Sequence, residues 1–196
     1  MTDARRGRPG YDRAQVLEIA VRAFNEHGYD ATSMGVLAAR LGLSKSAIYH
    51  HFESKEALLE AALDEGLGAL EGVLTEPGAT TGPAAARLRF VLGRAVHVLV
   101  DRLPYVTLLL RLRGNTGVER AALDRRREFD RAVVALVAAA QDAGELRGDI
   151  DPRIAERLLF GMINSIAEWY RPEGPEDAGR LAQDVLAVVE RGLLSP

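Results

Sequence analysis

The chain has no cysteine, one tryptophan in 196 residues and no apolar run near the roughly 18 residues that a membrane span needs. The missing cysteine excludes disulfides, thiolate metal sites and thiol redox sensing. Motifs of catalysis are missing as well. There is no G-x-S-x-G serine turn, no HExxH and no Gly-rich phosphate loop following a strand. An enzyme is therefore not expected, nor is a cofactor or a metal. No alternating apolar–polar stretch suggests a β-strand, and the first eleven residues are too polar and basic for a secretory signal. Cytoplasmic residence is expected.

What is present is helical periodicity and an uneven charge distribution. The net charge is −3, but residues 1–55 hold eight Arg/Lys against six Asp/Glu, and the rest hold seventeen against twenty-two. The basic excess sits in Arg5, Arg6 and Arg8 and near Lys45 and Lys55. One basic end on an acidic body suits a protein that presents that end to nucleic acid.

The first helix has a complete start signal, with Asp12 as cap and Gln15 three residues on. Val16, Ile19, Ala20, Ala23 and Phe24 form its apolar stripe, and Gly28 can close it in the left-handed conformation. His27 lies in its last turn and reads as a helix-end residue. A second helix opens at Thr32 or Ser33, carries Val36, Leu37 and Leu41, and stops at Gly42. Ser44 caps a third, short helix from about Lys45 to His51. Only Ala47, Ile48 and Phe52 look inward there, leaving Lys45, Ser46, Tyr49 and His50 outward. Two helices joined by a tight Gly turn, the second opening on a cation and hydroxyls, are the arrangement that enters a DNA major groove. Lys45 and the helix N-terminal amides suit phosphates, while Tyr49 and His50 suit a phosphate or a base edge. The adjacent His50 and His51 do not share a helix face, which argues against a metal pair.

The segment FNEHGYDATSMGVLAARLGLSKSAIYHHFESKEALL, residues 24–59, resembles the N-terminal domain of TetR-family transcriptional regulators. The resemblance implies an all-α fold, with an N-terminal three-helix helix-turn-helix domain and a C-terminal helical ligand-binding and dimerisation domain. It implies DNA contacts at Thr32 or Ser33, Lys45, Tyr49, His50 and Lys55, with Ser44 and Ser46 beside them and Arg5, Arg6 and Arg8 in a basic arm. Phe52 falls at the family's core aromatic, and Ser46 stands where the family often has Gly. Residues 1–11 are expected to form the arm, 12–55 the DNA-binding domain and 56–196 the rest. The family's fourth helix links the pocket to the DNA-binding domain. Here it opens at Ser54 and contains Gly66, Gly68 and Gly72, each costing up to about 1 kcal/mol relative to Ala. Gly35 departs from a good helix sequence for no reason visible in the sequence.

Beyond it, Glu76–Pro83 reads as a loop, followed by a helix from Pro83 to about Arg102, a short one from Tyr105 to Arg113 and a long one to about Ala143. His97 is either an i,i+4 partner of Asp101 or a pocket polar group, and Arg125–Arg127 either a solvated face or a phosphate cluster. Asp151 and Pro152 open a penultimate helix that is apolar on more than one face, and a last helix runs from about Pro175 to Leu194. A helix apolar on several faces needs several partners, so Ile154, Leu158, Gly161, Ser165, Leu181, Val185 and Val189 are expected at a homodimer interface. The family's habit of dimerising through its last two helices implies the same.

Asn164–Pro172, NSIAEWYRP, resembles the branch of the family that responds to acyl-coenzyme A thioesters. Trp169 and Arg171 then serve either a ligand or, for Trp169, the dimer core. Phe90, Leu109 and Phe129 are candidates for an apolar lining, and Arg94, His97, Arg111, Arg113, Asn164 and Arg171 for polar contacts. The expected function is ligand-responsive repression by a homodimer on a palindromic duplex DNA operator, with a small-molecule inducer and no membrane partner. The alternatives are an efflux regulator answering a hydrophobic drug-like molecule and, from another class, a helical protein-interaction adaptor. Lys45 and the arm arginines argue against the adaptor.

Overall fold

The computed structural model describes residues 11–193, and among them every regular element is an α-helix. They divide into two compact units, one ending at Ala62 and the other beginning at Leu63. No helix among the described residues is long and apolar enough to cross a membrane.

The first unit contains α1 (Arg13–His27), α2 (Met34–Leu41), α3 (Lys45–His51) and the start of α4 (Lys55–Val73). Each start follows from a side chain. Asp12 and Gln15 form a reciprocal capping box on α1. The hydroxyls of Ser33, Ser44 and Ser54 accept from the amides three residues on. The α2–α3 turn needs Gly42 at φ 63°, and its amide and that of Leu43 return to the end of α2. Val16, Leu17, Ala20, Val21 and Phe24 of α1, Leu37 and Leu41 of α2 and Ile48 of α3 are buried where these three helices pack together, and Phe52, Leu58 and Leu59 are buried as well. The buried stripe of α1 thus runs through Leu17 and Val21, while Ile19 is only half-buried. Val36, expected inside α2, is exposed. Helix α3 is too short to hold itself, and the fully buried Ile48 is its anchor.

The second unit completes α4 and adds α5 (Pro77–Thr80), α6 (Ala84–Asp101), α7 (Leu103–Leu110), α8 (Gly117–Asp142), α9 (Pro152–Trp169) and α10 (Ala178–Leu193). Helix α6 is its centre. Leu88, Val91, Leu92, Ala95, Val96, Val98 and Leu99 are buried over a wide arc, and α5, α7, α8, α9 and α10 all pack on it.

Three boundaries differ from the sequence reading. The stretch 76–83 contains a single helical turn, α5, in which Pro77 sits at the first position and the Thr80 and Thr81 hydroxyls donate to the carbonyls of Glu76 and Pro77. That turn presses Gly78 onto the ring of Phe90, where any Cβ would overlap it. Pro104 lies inside the first turn of α7, where no intrahelical amide is needed, so the helix begins at Leu103. The last helix begins at Ala178, with the Asp177 carboxylate accepting from the Arg180 amide. Of the α4 glycines, Gly66 lies beside Tyr105 with ordinary room for a Cβ, and Gly68 and Gly72 face open space, so close packing requires none of the three.

Between α7 and α8 the chain binds its own carboxylate. Glu119 is buried, and its Oε2 accepts the amides of Arg113, Gly114 and Asn115 at 3.2, 2.8 and 3.0 Å. The turn that aims these three amides inward requires Gly114 at φ 81°.

Candidate nucleic-acid interface and ligand cleft

Ser33, Ser44, Lys45, Ser46, Tyr49 and His50 are all exposed. The N-termini of α2 and α3 meet at Gly35. A Cβ there would stand 3.0 Å from Lys45 Cε and 3.5 Å from the Ser33 hydroxyl. Gly35 thus has a physical reason: it leaves the lysine stem room to cross the start of α2. The result is one surface with two helix N-termini, three hydroxyls, one ammonium, a phenol and an imidazole. Unpaired helix N-terminal amides and an ammonium together attract phosphate oxygens. Exposed Val36 adds an apolar group able to meet a thymine methyl.

Two expected DNA contacts stand differently. Thr32 is fully buried and its hydroxyl donates to the Gly28 carbonyl at 2.8 Å. It locks the α1–α2 turn, and Ser33 alone caps α2, so Thr32 is not on the surface. Lys55 lies 4.0 Å from the Tyr29 ring centre with Nζ 3.5 Å from the Asp30 carbonyl, a position that holds the cation at the opening of α4. Arg5, Arg6 and Arg8 lie outside the described residues. Arg40 is engaged with Glu26, and that hydrogen bond holds the Glu26 carboxyl below its ordinary range.

The second unit holds a narrow cleft with a cavity volume of about 30 Å³. Its apolar walls come from Leu70 of α4, Ala95 and Leu99 of α6, Val106, Leu109 and Leu110 of α7, Phe129 of α8, and Phe160 and Ile163 of α9. Phe129 and Phe160 meet edge-to-face at 5.4 Å. The polar lining is Arg126, Asp130 and Asn164. One turn before Phe160 on the same face of α9 lies Glu156, 7% exposed. Burial pushes the Asp130 carboxyl above its ordinary range against the opposing pull of Arg126. Burial likewise raises Glu156, and the nearby Asp130 charge raises it further. A wider groove of about 330 Å³ lies between α6, α10 and Leu146. Its only charged groups are the paired Arg89 and Glu190, so it lacks convergent polar atoms to orient a ligand.

Of the candidate ligand residues, Leu109, Phe129 and Asn164 line the cleft and the others do not. Phe90 packs on Gly78, Arg94 bonds Glu76, and His97 is half-buried elsewhere on α6. Arg111 and Arg113 are exposed. Trp169 is 48% exposed, and the Arg171 guanidinium donates to the carbonyls of Glu168 and Tyr170, closing the end of α9. The sequence reading weighed Arg126 only as part of the Arg125–Arg127 run and named neither Asp130 nor Glu156 as a candidate for the cleft. Their phase was the available signal. Arg126 and Asp130 fall within the stripe Ala122–Phe129–Val133–Val137, and Glu156 lies within Ala155–Leu159–Phe160–Ile163. The run Arg125–Arg127 is neither a simple solvated face nor a phosphate cluster. Arg125 grips Asp64 and Glu71 of α4, Arg126 enters the cleft and Arg127 pairs with Asp124. The hydrogen bond to Glu71 raises Arg125 above its ordinary range.

Helix α9 carries a second, opposite stripe. Ile154, Leu158, Gly161, Ser165 and Trp169 are all exposed at spacings of three and four, with Leu158 67% exposed. Four of these were expected at a dimer interface. The α10 candidates face differently. Val185 is buried against the core of its own subunit, and Leu181 and Val189 are partly buried there, because α10 turns this face to α6. Val188 of α10 is exposed.

Comparison with known proteins accords with this architecture. The chain is 50% identical to a TetR-family regulator of known crystal structure from Streptomyces coelicolor A3, with a TM-score of 0.83 over 97% of this chain and 92% of that one. It is 28% identical to the HTH-type transcriptional repressor KstR2 of Rhodococcus jostii, over 94% of this chain and 92% of the relative. It is 27% identical to the repressor AcnR of Corynebacterium glutamicum, over 89% and 92%. Residues 16–62 match the bacterial regulatory proteins of the tetR family, and residues 81–193 match the tetracyclin repressor-like C-terminal domain. With both units accounted for, the chain belongs to the TetR family of transcriptional regulators.

Proposed function

We propose that the protein is a ligand-responsive transcriptional repressor that holds a palindromic duplex operator as a homodimer in the cytoplasm and carries no catalysis. The observation that carries this reading is the surface where α2 and α3 begin. Ser33, Ser44, Lys45, Ser46, Tyr49 and His50 all face outward there, held by an anchor as buried as Ile48. Such a face has no use inside the subunit, and its chemistry is that of phosphate and base-edge contacts. Two copies are needed for two half-sites, and the exposed apolar stripe of α9 supports a second copy. The residues expected for each role are Lys45, Tyr49, His50 and the serines for DNA, Ile154, Leu158, Gly161 and Ser165 for the partner copy, and the cleft residues for the inducer. Occupying the cleft would shift the population between two helix arrangements, one of which fits successive major grooves.

The acyl-thioester expectation is weakened by geometry. Only Asn164 of the Asn164–Pro172 segment reaches the cleft, while Trp169 continues the outer stripe and Arg171 is occupied at a helix end. Selection of bound fragments from genomic DNA tests the proposal. A palindromic consensus with half-sites one helical turn apart, or a multiple of it, is expected. Absence of any sequence preference would falsify the repressor reading.

A further inference from the structure

We propose that Arg125 is a latch on the ligand cleft: its ion pairs with Asp64 and Glu71 staple a glycine-weakened stretch of α4 to α8, and the cleft admits a small molecule only when that stretch yields. The inference rests on the ligand-responsive reading and says how access to that same site is controlled.

As it stands the cleft is too small for its role. A cavity of about 30 Å³ holds about two waters, against roughly 300–1,000 Å³ for an ordinary small-molecule site. One of its walls must part from the others, and α4 is built to do so. Helices α5, α7, α8, α9 and α10 pack along α6, whereas among the described residues the backbone of α4 comes near theirs at isolated points at most, as at Gly66 beside Tyr105. Leu70, the α4 residue of the lining, stands between Gly68 and Gly72. Both glycines face open space, so neither is there to let another helix approach, and each weakens the helix relative to Ala.

Arg125 crosses this weak stretch. Its Nε and Nη2 donate to the two oxygens of Glu71 at 2.9 and 2.8 Å, and its Nη1 donates to Asp64. Asp64 and Glu71 lie two turns apart on one face of α4, so one guanidinium spans Gly66, Gly68 and Leu70. A planar fork suits this task, since the point charge of a lysine could hold only one of the two carboxylates firmly. The pairs are partly open to water, so each is weak enough to break and remake, as a latch requires. Arg126, the next residue, enters the cleft, so a molecule that meets it acts beside the latch. Arg102 grips Glu65 of α4 at 2.8 Å, but ahead of all three glycines, so it does not span the stretch that must move.

The test is hydrogen exchange on the full-length protein, read by mass spectrometry. Arg125→Met should speed exchange of the α4 amides 67–73 by at least about tenfold while α9 and α10 stay unchanged. Glu71→Gln should reproduce this from the other side of the bond. Arg125→Lys should fall between Arg125→Met and the wild type, and Arg102→Met should move these amides less. Adding Gly68→Ala and Gly72→Ala, for which there is room, should slow exchange again. The uncharged fluorophore N-phenyl-1-naphthylamine reports the opening itself. It should bind the Arg125→Met protein at least about tenfold more tightly than the wild type, because the open form is more populated. Asn164→Phe, which fills the cleft, should remove that gain. The proposal is overturned if α4 exchange is indifferent to both Arg125→Met and Glu71→Gln, or if exchange rises equally in all helices. It is overturned too if the fluorophore gains nothing, or if its gain survives Asn164→Phe. Operator binding by the wild type is measured separately. Its presence alongside any of these failures sinks the latch and leaves the repressor standing, and its absence alongside a working latch does the reverse.

Discussion

Helix α3 and helix α9 both display side chains that their own unit does not use, but of opposite chemistry. Helix α3 with its cap Ser44 shows water an ammonium, two serine hydroxyls, a phenol and an imidazole, all of which water solvates well. Helix α9 shows Ile154, Leu158 and Trp169, which water does not. A polar face can wait, since leaving its partner returns it to water at little cost. An apolar stripe pays for exposure continuously and favours a partner that stays. The same chain thus carries one face built for an intermittent contact and one built for a lasting contact.

The largest effect that can break this contrast is at Gly161. Nothing within its own subunit lies within 4 Å of where its side chain would begin, so Gly161→Trp should leave the fold intact. If α9 is the lasting contact, the substitution should convert a dimer to a monomer by sedimentation and weaken operator binding by roughly a hundredfold or more, since one half-site must then bind alone. A wild-type monomer at micromolar concentration, or a dimer indifferent to the change, would end the contrast.

Lys45→Ala and Tyr49→Ala come next. Each should weaken operator binding by about tenfold while dimer and melting temperature stay unchanged. The lysine variant should lower the salt slope by about 1, the mark of one lost phosphate contact. Smaller again is Gly35→Ala. It gains up to about 1 kcal/mol of helix propensity but crowds the Lys45 stem. A slightly more stable protein with weaker operator binding is expected, read by thermal melting beside a binding isotherm.

The smallest effect concerns two acids, the half-buried Asp130 and the buried Glu156. Asp130 and Glu156 hold their protons to higher pH in the folded chain than in the unfolded one, chiefly through burial. Their burial therefore favours folding in acid and costs stability as pH rises above the ordinary carboxylate range. Glu156→Gln should melt a few degrees higher than wild type at neutral pH, at about 2–4 °C per kcal/mol for a chain of this size. The gap should close as pH falls towards the ordinary carboxylate range.

What could be read without the structure was whatever has a local cause. Caps at Asp12, Ser33, Ser44 and Asp151, the Gly42 turn, the outward face of α3 and the outer stripe of α9 all follow from neighbours a few residues away. What escaped depends on distant partners. Thr32 and Ser33 are equally good caps in sequence, and only the turn back to Gly28 decides which is buried. Val185 looks like interface until α6 is seen to cover it. Arg125 and Arg126 are neighbours in a charged run, yet the helix turns one to α4 and the other into the cleft. Glu156 looks like any surface glutamate until that face of α9 is seen to be buried.

The Glu119 carboxylate in the α7–α8 turn has a consequence for anything that competes with it. Three amides point at one spot, and the chain supplies the occupant from within, so the turn is a receptor permanently filled by a tethered guest. Outside anions find it taken. Remove the guest with Glu119→Ala and the receptor stands vacant. Millimolar acetate or formate should then seat an oxygen there and restore part of the lost melting temperature, while chloride at equal ionic strength, a larger and weaker hydrogen-bond acceptor than a carboxylate oxygen, should restore less.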